Sequence, residues 1–199
     1  MLDIIQFLRV VFTRVRAKYL KAGFLFRNAL SSNKNVLGPN VVFNVPVRCD
    51  GNGTVIVRGN VVFGSPLAQK LGNGEILLQA RPRGATLEIN ESVWFSNNVA
   101  IIATQRIVLG PNCLVGDSVM IMDSDFHSTD SFKRRTGDAV SAPVIIGKNV
   151  WLGSRVIVQK GVSIGDNSII ASAAVVTHNI PPNSIAGGIP AKVIRSLED

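Results

Sequence analysis

The sequence predicts an all-β protein built as a parallel β-helix, with a helix at its N-terminus and a loop that projects from the coil. Three observations predict this fold: a large apolar side chain, mostly aliphatic, that recurs at every sixth position, a residue directly after it that is often small, and one long polar interruption. A six-residue period fits neither an α-helix, which repeats at about 3.6 residues, nor an ordinary strand, which repeats at about 2. It is typical of a solenoid in which three short strands form one coil and successive coils stack.

The clearest part of the repeat is a ladder of aliphatic residues near the C-terminus. The ladder consists of Ile146, Leu152, Val158, Ile164, Ile170 and Val176. The same spacing returns upstream at Leu109, Val115 and Ile121, at Ile89, Phe95 and Ile101, and more faintly at Val57 and Phe63 and at Leu37 and Phe43. Glycine often follows a ladder residue, as at Gly147, Gly153 and Gly165, and we expect it to supply unusual backbone angles at tight corners.

The repeat divides the chain into three parts. We assign them as an N-terminal amphipathic helix and linker (1–34), a β-helix (35–189) and a C-terminal tail (190–199). Counting six from Ile121 arrives at His127, and the next clear ladder residue is Ile146. The polar residues 128–143 are therefore predicted to form a loop excursion. Long loops in a compact repeat are uncommon and are usually functional.

The N-terminal segment concentrates the positive charge of the chain. The formal net charge is +8, and residues 1–30 carry six basic residues against Asp3. Apolar residues fall at helical spacing, namely Ile5, Leu8, Phe12, Val15 and Tyr19. No uncharged run approaches the roughly 18–20 residues of a membrane span. Two interpretations remain: a helix packed on the coil or on a neighbouring subunit, or a peripheral helix lying on anionic membrane through residues 1–30.

Composition also bears on compartment and partners. Cys49 and Cys113 are too few for a disulfide scaffold, and Cys113 occupies a small-residue slot of the repeat, which favours a buried core thiol over a nucleophile. The body of the chain has no nucleic-acid motif and few aromatics, so we expect no nucleic-acid partner. We expect a cytoplasmic protein, with the inner face of the membrane as the alternative location.

The candidate general base is His127, one of two histidines in the chain. It stands where the repeat breaks and the polar loop departs, and an imidazole in a cleft between loop and wall can accept a proton. One neighbouring carboxylate could orient its ring, and the candidates are Asp123, Asp125, Asp130 and Asp138. A purely structural histidine at a loop junction is the competing interpretation. The second histidine, His178, lies near the end of the coil and is a weaker candidate base.

Two other chemistries use the same residues. Asp123, Asp125 and His127 alternate along one strand and resemble a metal site in ligand type, but no second His or Cys is near. A Ser-His-Asp hydrolase would need Ser124 or Ser128 as nucleophile, and the G-x-S-x-G motif is missing. We therefore expect no bound metal and no acyl-enzyme serine.

Four segments resemble a known family. They are Pro143–Ser154, Gly161–Ser168, Val175–Thr177 with Ile180–Asn183, and Gly188–Arg195. In these segments the chain is similar to the hexapeptide-repeat acyltransferases, above all to the galactoside and maltose O-acetyltransferase group. The similarity is dense over residues 87–196. It implies a left-handed β-helix, a homotrimer with active sites at the subunit boundaries, and acetyl-CoA bound along the groove between neighbouring coils.

The resemblance also implies roles for individual residues. His127 matches the catalytic base, and Asp138 falls where the sugar acetyltransferases carry a glutamate near the site. Residues on the CoA side are Trp151, Ser154, Ser172, Thr177, His178, Lys192 and Arg195. Residues expected to contact the acceptor are Ser96, Asn97, Asn98 and Asp125. His178 and Ser172 depart from the usual residues of the family, as does Ser96, which stands where an asparagine is usual.

The function implied is acetyl-CoA-dependent O-acetylation of a sugar or glycan hydroxyl, by direct transfer in a ternary complex. Surface-polysaccharide synthesis would suit such an enzyme. The alternatives are N-acetylation of an amino sugar on a nucleotide carrier and a catalytically silent β-helix that acts as a scaffold. A carbonic anhydrase of the same fold would need a zinc site with three histidines, and this chain has only two histidines.

Overall fold

The structure, a computed structural model, describes residues 2–30, 35–69 and 71–198 of the 199-residue chain, with side chains from residue 11 onward except that of Leu30. The predicted linker at 31–34 and the last residue of the predicted tail lie outside the described residues. One α-helix, α1 (Leu2–Leu30), precedes the strands of the described chain. Over those residues no helix combines the length and apolarity needed to cross a bilayer.

The strands form the three faces of a prism, here called faces A, B and C. Face A contains β1 (Val36–Leu37), β4 (Thr54–Val57), β7 (Thr86–Ile89), β10 (Arg106–Leu109), β13 (Val144–Ile146) and β16 (Ser163–Ile164). Face B contains β2 (Val42–Phe43), β5 (Val62–Phe63), β8 (Trp94–Phe95), β11 (Leu114–Val115), β14 (Trp151–Leu152), β17 (Ile169–Ile170), β19 (Ser184–Gly188) and β20 (Ala191–Ser196). Face C contains β3 (Val47–Asp50), β6 (Ile76–Ala80), β9 (Ala100–Ala103), β12 (Met120–Met122), β15 (Ile157–Val158) and β18 (Val175–Val176).

Each coil contributes one strand to each face, and strands of successive coils pair in parallel, as β10 does with β7 and β13. The six-residue ladder fills the interior: every ladder residue from Ile146 to Val176 is at most 2% exposed. Side chains before and after a ladder residue point outward because successive residues of a strand face opposite sides. The predicted parallel β-helix, with its helix and its loop, is confirmed.

The unusual backbone angles at the corners are adopted by residues other than the glycines for which they were predicted. Gly147, Gly153 and Gly165 have no φ in the left-handed region; positive φ falls instead on the third residue after the ladder, such as Asn149 (56°) and Asn167 (60°). Asparagine tolerates this conformation better than most residues. The glycines are required by close stacking, since a Cβ on Gly147 would lie 2.4 Å from Asp166 Oδ1 and 2.8 Å from its backbone nitrogen.

Both ends of the prism carry special elements. Phe24 of α1 is 5% exposed and begins a row of four buried rings. The ring centroids are 5.1 Å apart for Phe24 and Phe43, 5.5 Å for Phe43 and Phe63, and 5.1 Å for Phe63 and Phe95. The helix therefore covers the open end of the core. At the other end β20 pairs antiparallel with β19, so most of the segment predicted as a tail is a strand of face B.

Candidate active site

The loop that carries His127 leaves the prism at the corner between faces C and A. It runs from Asp123 to Pro143, starting earlier than the sequence break suggested, because Asp123 already departs from the coil. Its two ends form a short antiparallel neck, in which Ser124 and Ser141 are bridged and the Asp125 N–H donates to the Val140 carbonyl at 3.0 Å. The neck fixes where the loop begins and ends.

Asp123 anchors this neck to the coil below. Its carboxylate is buried and accepts hydrogen bonds from the N–H and hydroxyl of Thr104, at 2.6 and 2.8 Å, and from the N–H groups of Gln105 and Arg106, both at 2.8 Å. The hydroxyls of Thr104, Ser141 and Ser124 continue the network, with successive oxygens 3.0 and 2.9 Å apart. Asp123 is thus occupied as a structural anchor rather than as a partner of the imidazole.

The segment entering His127 is also held. Phe126 has a φ of 62°, its N–H donates to Ser124 Oγ at 3.0 Å, and the Arg81 guanidinium lies 4.3 Å from its ring centroid. A cation over an aromatic face stabilises this contact. His127 follows directly with an exposed side chain. The structure therefore presents an imidazole on a short backbone segment held by these contacts. Nothing in the sequence pattern had pointed to Arg81.

The carboxylates near His127 do not orient its ring in this structure. Asp125 forms an ion pair with Lys160, with its Oδ1 2.8 Å from Nζ. Asp138 lies in the loop with an exposed side chain. Over the described residues, the side chains of His127 and Asp138 are joined neither by a hydrogen bond nor by an ion pair, and no group of three or more potential ligands is arranged for a metal ion.

A second set of predicted residues borders a groove on face B. The outward positions before the ladder hold Trp94, Leu114 and Trp151, which are 58%, 49% and 51% exposed and stand side by side in the strand register. The groove has a volume of about 360 Å³ and is also lined by Ser96 and Gly116. Trp94 was not among the predicted residues, although it precedes Phe95 as Trp151 precedes Leu152.

The turn after β8 buries one of the residues predicted to contact the acceptor and engages the amide of another in internal hydrogen bonds. Asn97 is 0% exposed, accepts the Ser65 N–H at 3.0 Å, and donates to carbonyls of residues 65, 68 and 69. Asn98 donates to Asp117 Oδ1 at 2.8 Å and to the Gln69 carbonyl at 3.2 Å. Both amides hold the neighbouring turn and the segment above it, so their donors are committed inside the chain. Ser96 remains at the groove.

The predicted CoA-side residues divide between two regions, face B with its corner to face C, and the corner between faces C and A. Ser154 and Ser172 occupy successive turns between faces B and C, and Lys192 and Arg195 are exposed on β20. Thr177 and His178 lie on the corner of the loop, two coils beyond it, with Oγ1 and Nδ1 2.8 Å apart. Face C separates the two corners by on the order of 15 Å, given a rise of about 3.3 Å per residue. A single chain therefore does not bring His127 to the Trp151 groove.

The surroundings of both cysteines disfavour the reactive thiolate. Cys113 is 0% exposed and its Sγ lies 3.1 Å from the Gly147 carbonyl oxygen. Burial raises the pKa of the Cys113 thiol to about 11. Burial raises the pKa of the Cys49 thiol to about 12, and the negative charge of Asp50 contributes a smaller part of the increase. The reactive species of a cysteine is its thiolate, so the prediction of a core thiol at Cys113 is confirmed.

Two protein comparisons agree with this architecture. A model of the hexapeptide repeat of succinyl-transferase matches residues 143–178. Galactoside O-acetyltransferase of Escherichia coli (strain K12) is 36% identical over 116 residues, which cover 58% of this chain and 57% of that protein. The match thus spans little more than half the length of that relative.

Two further comparisons extend over more of the chain. WbbJ of Escherichia coli (strain K12), named for lipopolysaccharide biosynthesis O-acetyl transfer, is 30% identical over 150 residues, or 69% of this chain and 72% of that protein. Galactoside acetyltransferase in complex with coenzyme A matches with a TM-score of 0.58 and 31% identity, over 71% of this chain and 64% of that one. The fold is the left-handed parallel β-helix that the resemblance implied. Sequence and fold together place the chain in the hexapeptide-repeat acetyltransferase family.

Proposed function

We propose that the protein transfers an acetyl group from acetyl-CoA to a hydroxyl of a sugar or glycan, with His127 as the general base. The observation that carries the proposal is the exposed imidazole on a loop whose neck is anchored by Asp123, in a chain of this family. Two relatives are named for O-acetyl transfer, one to a galactoside and one in lipopolysaccharide biosynthesis, which supports a carbohydrate acceptor.

His127 would act first on the acceptor. As the acceptor oxygen attacks the thioester carbonyl, the imidazole takes the hydroxyl proton, so that charge does not build up on the attacking oxygen. A backbone N–H of the site would stabilise the oxyanion, an effect often worth about 3 kcal/mol. The C–S bond then breaks, the sulfur recovers the proton from the imidazolium, and the products are the O-acetyl ester and the CoA thiol. Transfer is direct, without an acyl-enzyme.

The face B groove suits the long pantetheine arm of CoA, in which methylene and methyl groups alternate with two amides and a hydroxyl. Its indoles and Leu114 offer a flat, half-exposed apolar surface, while Ser154 and Ser172 supply hydroxyls at the adjoining corner. Lys192 and Arg195 are exposed on the strand that ends face B, where cationic donors would meet phosphates. These residues fit acetyl-CoA as the acyl donor.

We further infer that a working site is shared between subunits of a homotrimer. One chain would supply His127, Asp138, Thr177 and His178 from the corner between faces C and A. Its neighbour would supply the face B groove, including Trp151. A cyclic assembly repeats one such contact around its axis, giving one complete site per boundary. Asp138 could then be positioned by contacts that a single chain does not contain.

The first test compares the two histidine variants. In an assay of CoA thiol release with acceptors bearing hydroxyl or amino groups, His127→Ala should lower kcat by about 100-fold or more, because the general base is lost. Its affinity for CoA, measured by calorimetry, should stay within about twofold, since the base does not bind the tail. His178→Ala is the matched control and should keep kcat while raising the KM for acetyl-CoA. Full activity in His127→Ala would remove the proposed base, and preference for amino sugars would favour N-acetylation.

The second test mixes subunits. His127→Ala and Trp151→Ala chains, each nearly inactive alone, should regain about a quarter of wild-type activity when combined in equal amounts as trimers, because mixed trimers rebuild one boundary in three. Activity no higher than the mean of the two single variants would show that each chain holds its own complete site. Sedimentation velocity on the same samples establishes whether trimers form.

A further inference from the structure

Helix α1 has one face packed on the prism. Phe24 is 5% exposed against Phe43, and Ala17, Leu20 and Asn28 of the same face are half-buried. Two basic side chains assist at the edges of this contact: Lys21 Nζ donates to the Val41 carbonyl and the Arg27 guanidinium donates to the Val47 carbonyl, both at 3.4 Å. The helix is therefore seated on the first coil through this face, which accounts for one half of its amphipathic pattern.

The opposite face of α1 is apolar and exposed. Its large side chains and their exposed fractions are Val11 39%, Phe12 70%, Val15 60%, Tyr19 78% and Phe26 67%. At about 100° per residue these five positions fall within an arc of about 100°, centred roughly opposite Phe24. A helix that had only to cap the prism would need no second apolar stripe. Exposed apolar patches of this kind mark surfaces that bind a partner.

Basic residues border this stripe on both sides. On the helical wheel Arg14 and Lys18 lie along one edge and Arg16 and Arg27 along the other, and the sequence has no acidic residue from 11 to 30. An apolar stripe with aromatic side chains between two basic edges is the pattern of a helix that lies in a membrane interface. Acidic phospholipid headgroups provide the complementary charge at the depth of those edges.

We propose that α1 binds the surface of an anionic lipid bilayer, with the stripe at the boundary between headgroups and acyl chains. A second copy of the chain is a poorer partner, because apposing two stripes would bring the basic edges of both copies together without any acidic residue of either stripe to offset them. Since the packed face points to the first coil, binding would place that end of the prism nearest the lipid. The proposal goes beyond acetyl transfer and does not depend on it.

The test is co-sedimentation of the full chain with vesicles of phosphatidylcholine alone or with about 30% phosphatidylglycerol. Binding should be at least about 10-fold tighter to the anionic vesicles and should weaken strongly when salt is raised from about 0.1 M to about 1 M. The double variant Phe12→Ser/Tyr19→Ser should bind at least about 10-fold more weakly, because the apolar stripe is lost. Arg14→Gln/Lys18→Gln should lose most of the preference for anionic lipid.

Phe132→Ser is the matched control, since Phe132 is a 96% exposed aromatic residue outside α1, and it should bind like the wild type. Circular dichroism melts check that the variants fold, which their exposed positions favour. Two results would overturn the proposal: wild-type binding that is absent or equal for neutral and anionic vesicles, or a Phe12→Ser/Tyr19→Ser variant that keeps vesicle binding. If that variant instead loses its oligomeric state by sedimentation velocity while vesicle binding is unchanged, the stripe is a subunit contact.

Discussion

Replacing Asp123 by Asn tests whether this carboxylate holds the neck of the loop that carries His127. In the structure Oδ1 accepts two hydrogen bonds from Thr104, and Oδ2 accepts one each from the N–H groups of Gln105 and Arg106. Asparagine keeps the shape but converts one oxygen into an NH₂ donor. In either orientation of the amide, its NH₂ group therefore faces two hydrogen-bond donors, either those of Thr104 or the N–H groups of Gln105 and Arg106.

The size of the effect follows from the less costly orientation. If the NH₂ faces Thr104, the hydroxyl of that residue can turn to Ser141 Oγ, which lies 3.0 Å away, so one backbone N–H is left without an acceptor. An unsatisfied donor of this kind costs about 1–3 kcal/mol, and two charge-assisted bonds become neutral ones. In the opposite orientation the N–H groups of Gln105 and Arg106 both lose their acceptor, which costs more. We therefore expect Asp123→Asn to lower the free energy of unfolding by about 3 kcal/mol.

Urea denaturation measures this change, and steady-state kinetics measure its consequence. A loosened neck should lower kcat through the position of His127 while CoA affinity is retained, which a global loss of folded protein would not produce. Asp130→Asn is the control: its carboxylate is exposed and accepts one bond, from the Phe132 N–H at 2.9 Å, so stability should change by less than about 0.5 kcal/mol. Equal, small effects of both substitutions would refute the anchoring role of Asp123.

Two further predictions concern packing and thiols. Gly116→Ala should destabilise the fold by about 3 kcal/mol or more, since its Cβ would lie 2.6 Å from the carbonyl carbon of Gly153. Gly23→Ala should stabilise α1 by up to about 1 kcal/mol, because its Cβ would have no atom within 4 Å. Equal shifts of the melting temperature in the two variants would contradict this prediction. Cys49 and Cys113 should resist a thiol reagent at pH 8 unless the protein is unfolded. Because folding raises the pKa of both thiols from 9.0, stability should be unaffected below pH 9 and fall above it, and flat unfolding curves from pH 8 to 11 would contradict the assigned burial.

The sequence was most informative where one physical cause sets a residue at a fixed interval. Ile146, Leu152 and Val158 must face inward once each side of the prism takes six residues, so their burial was predictable. The reason why glycine follows several ladder residues was not predictable from the sequence, because close stacking depends on the neighbouring coil rather than on the turn itself. The asparagines that adopt positive φ recur three residues after the ladder, and this interval was available in the sequence.

The sequence predicted the residue types of the candidate site but not their arrangement. His127 was selected from its place at the break of the repeat and Trp151 from the resemblance, and neither argument says which face or corner of the prism the residue occupies. Asn97 illustrates the limit: it directly follows Ser96, where the resemblance places an acceptor-contacting asparagine, and only the structure shows its amide bonded to the segment at residues 65–69. Contacts such as Arg81 with Phe126 join residues of different coils, and no local pattern announces them.

The exposed apolar surfaces of the prism and of its helix differ in charge, and this difference bears on their partners. The face B surface around Trp94, Leu114 and Trp151 is apolar and adjoins uncharged serines and glycines, so it is suited to the pantetheine arm or to a neighbouring subunit. The α1 stripe is bordered by Arg14 and Lys18 on one edge and by Arg16 and Arg27 on the other, so like charges disfavour its pairing with a second copy of itself. Since Phe24 seats the packed face of the helix, neither surface is needed to close the core. Each is therefore available for one of the two proposed roles, binding of the CoA arm on face B and membrane attachment at the end of the prism, and substitutions on one should leave the other unaffected.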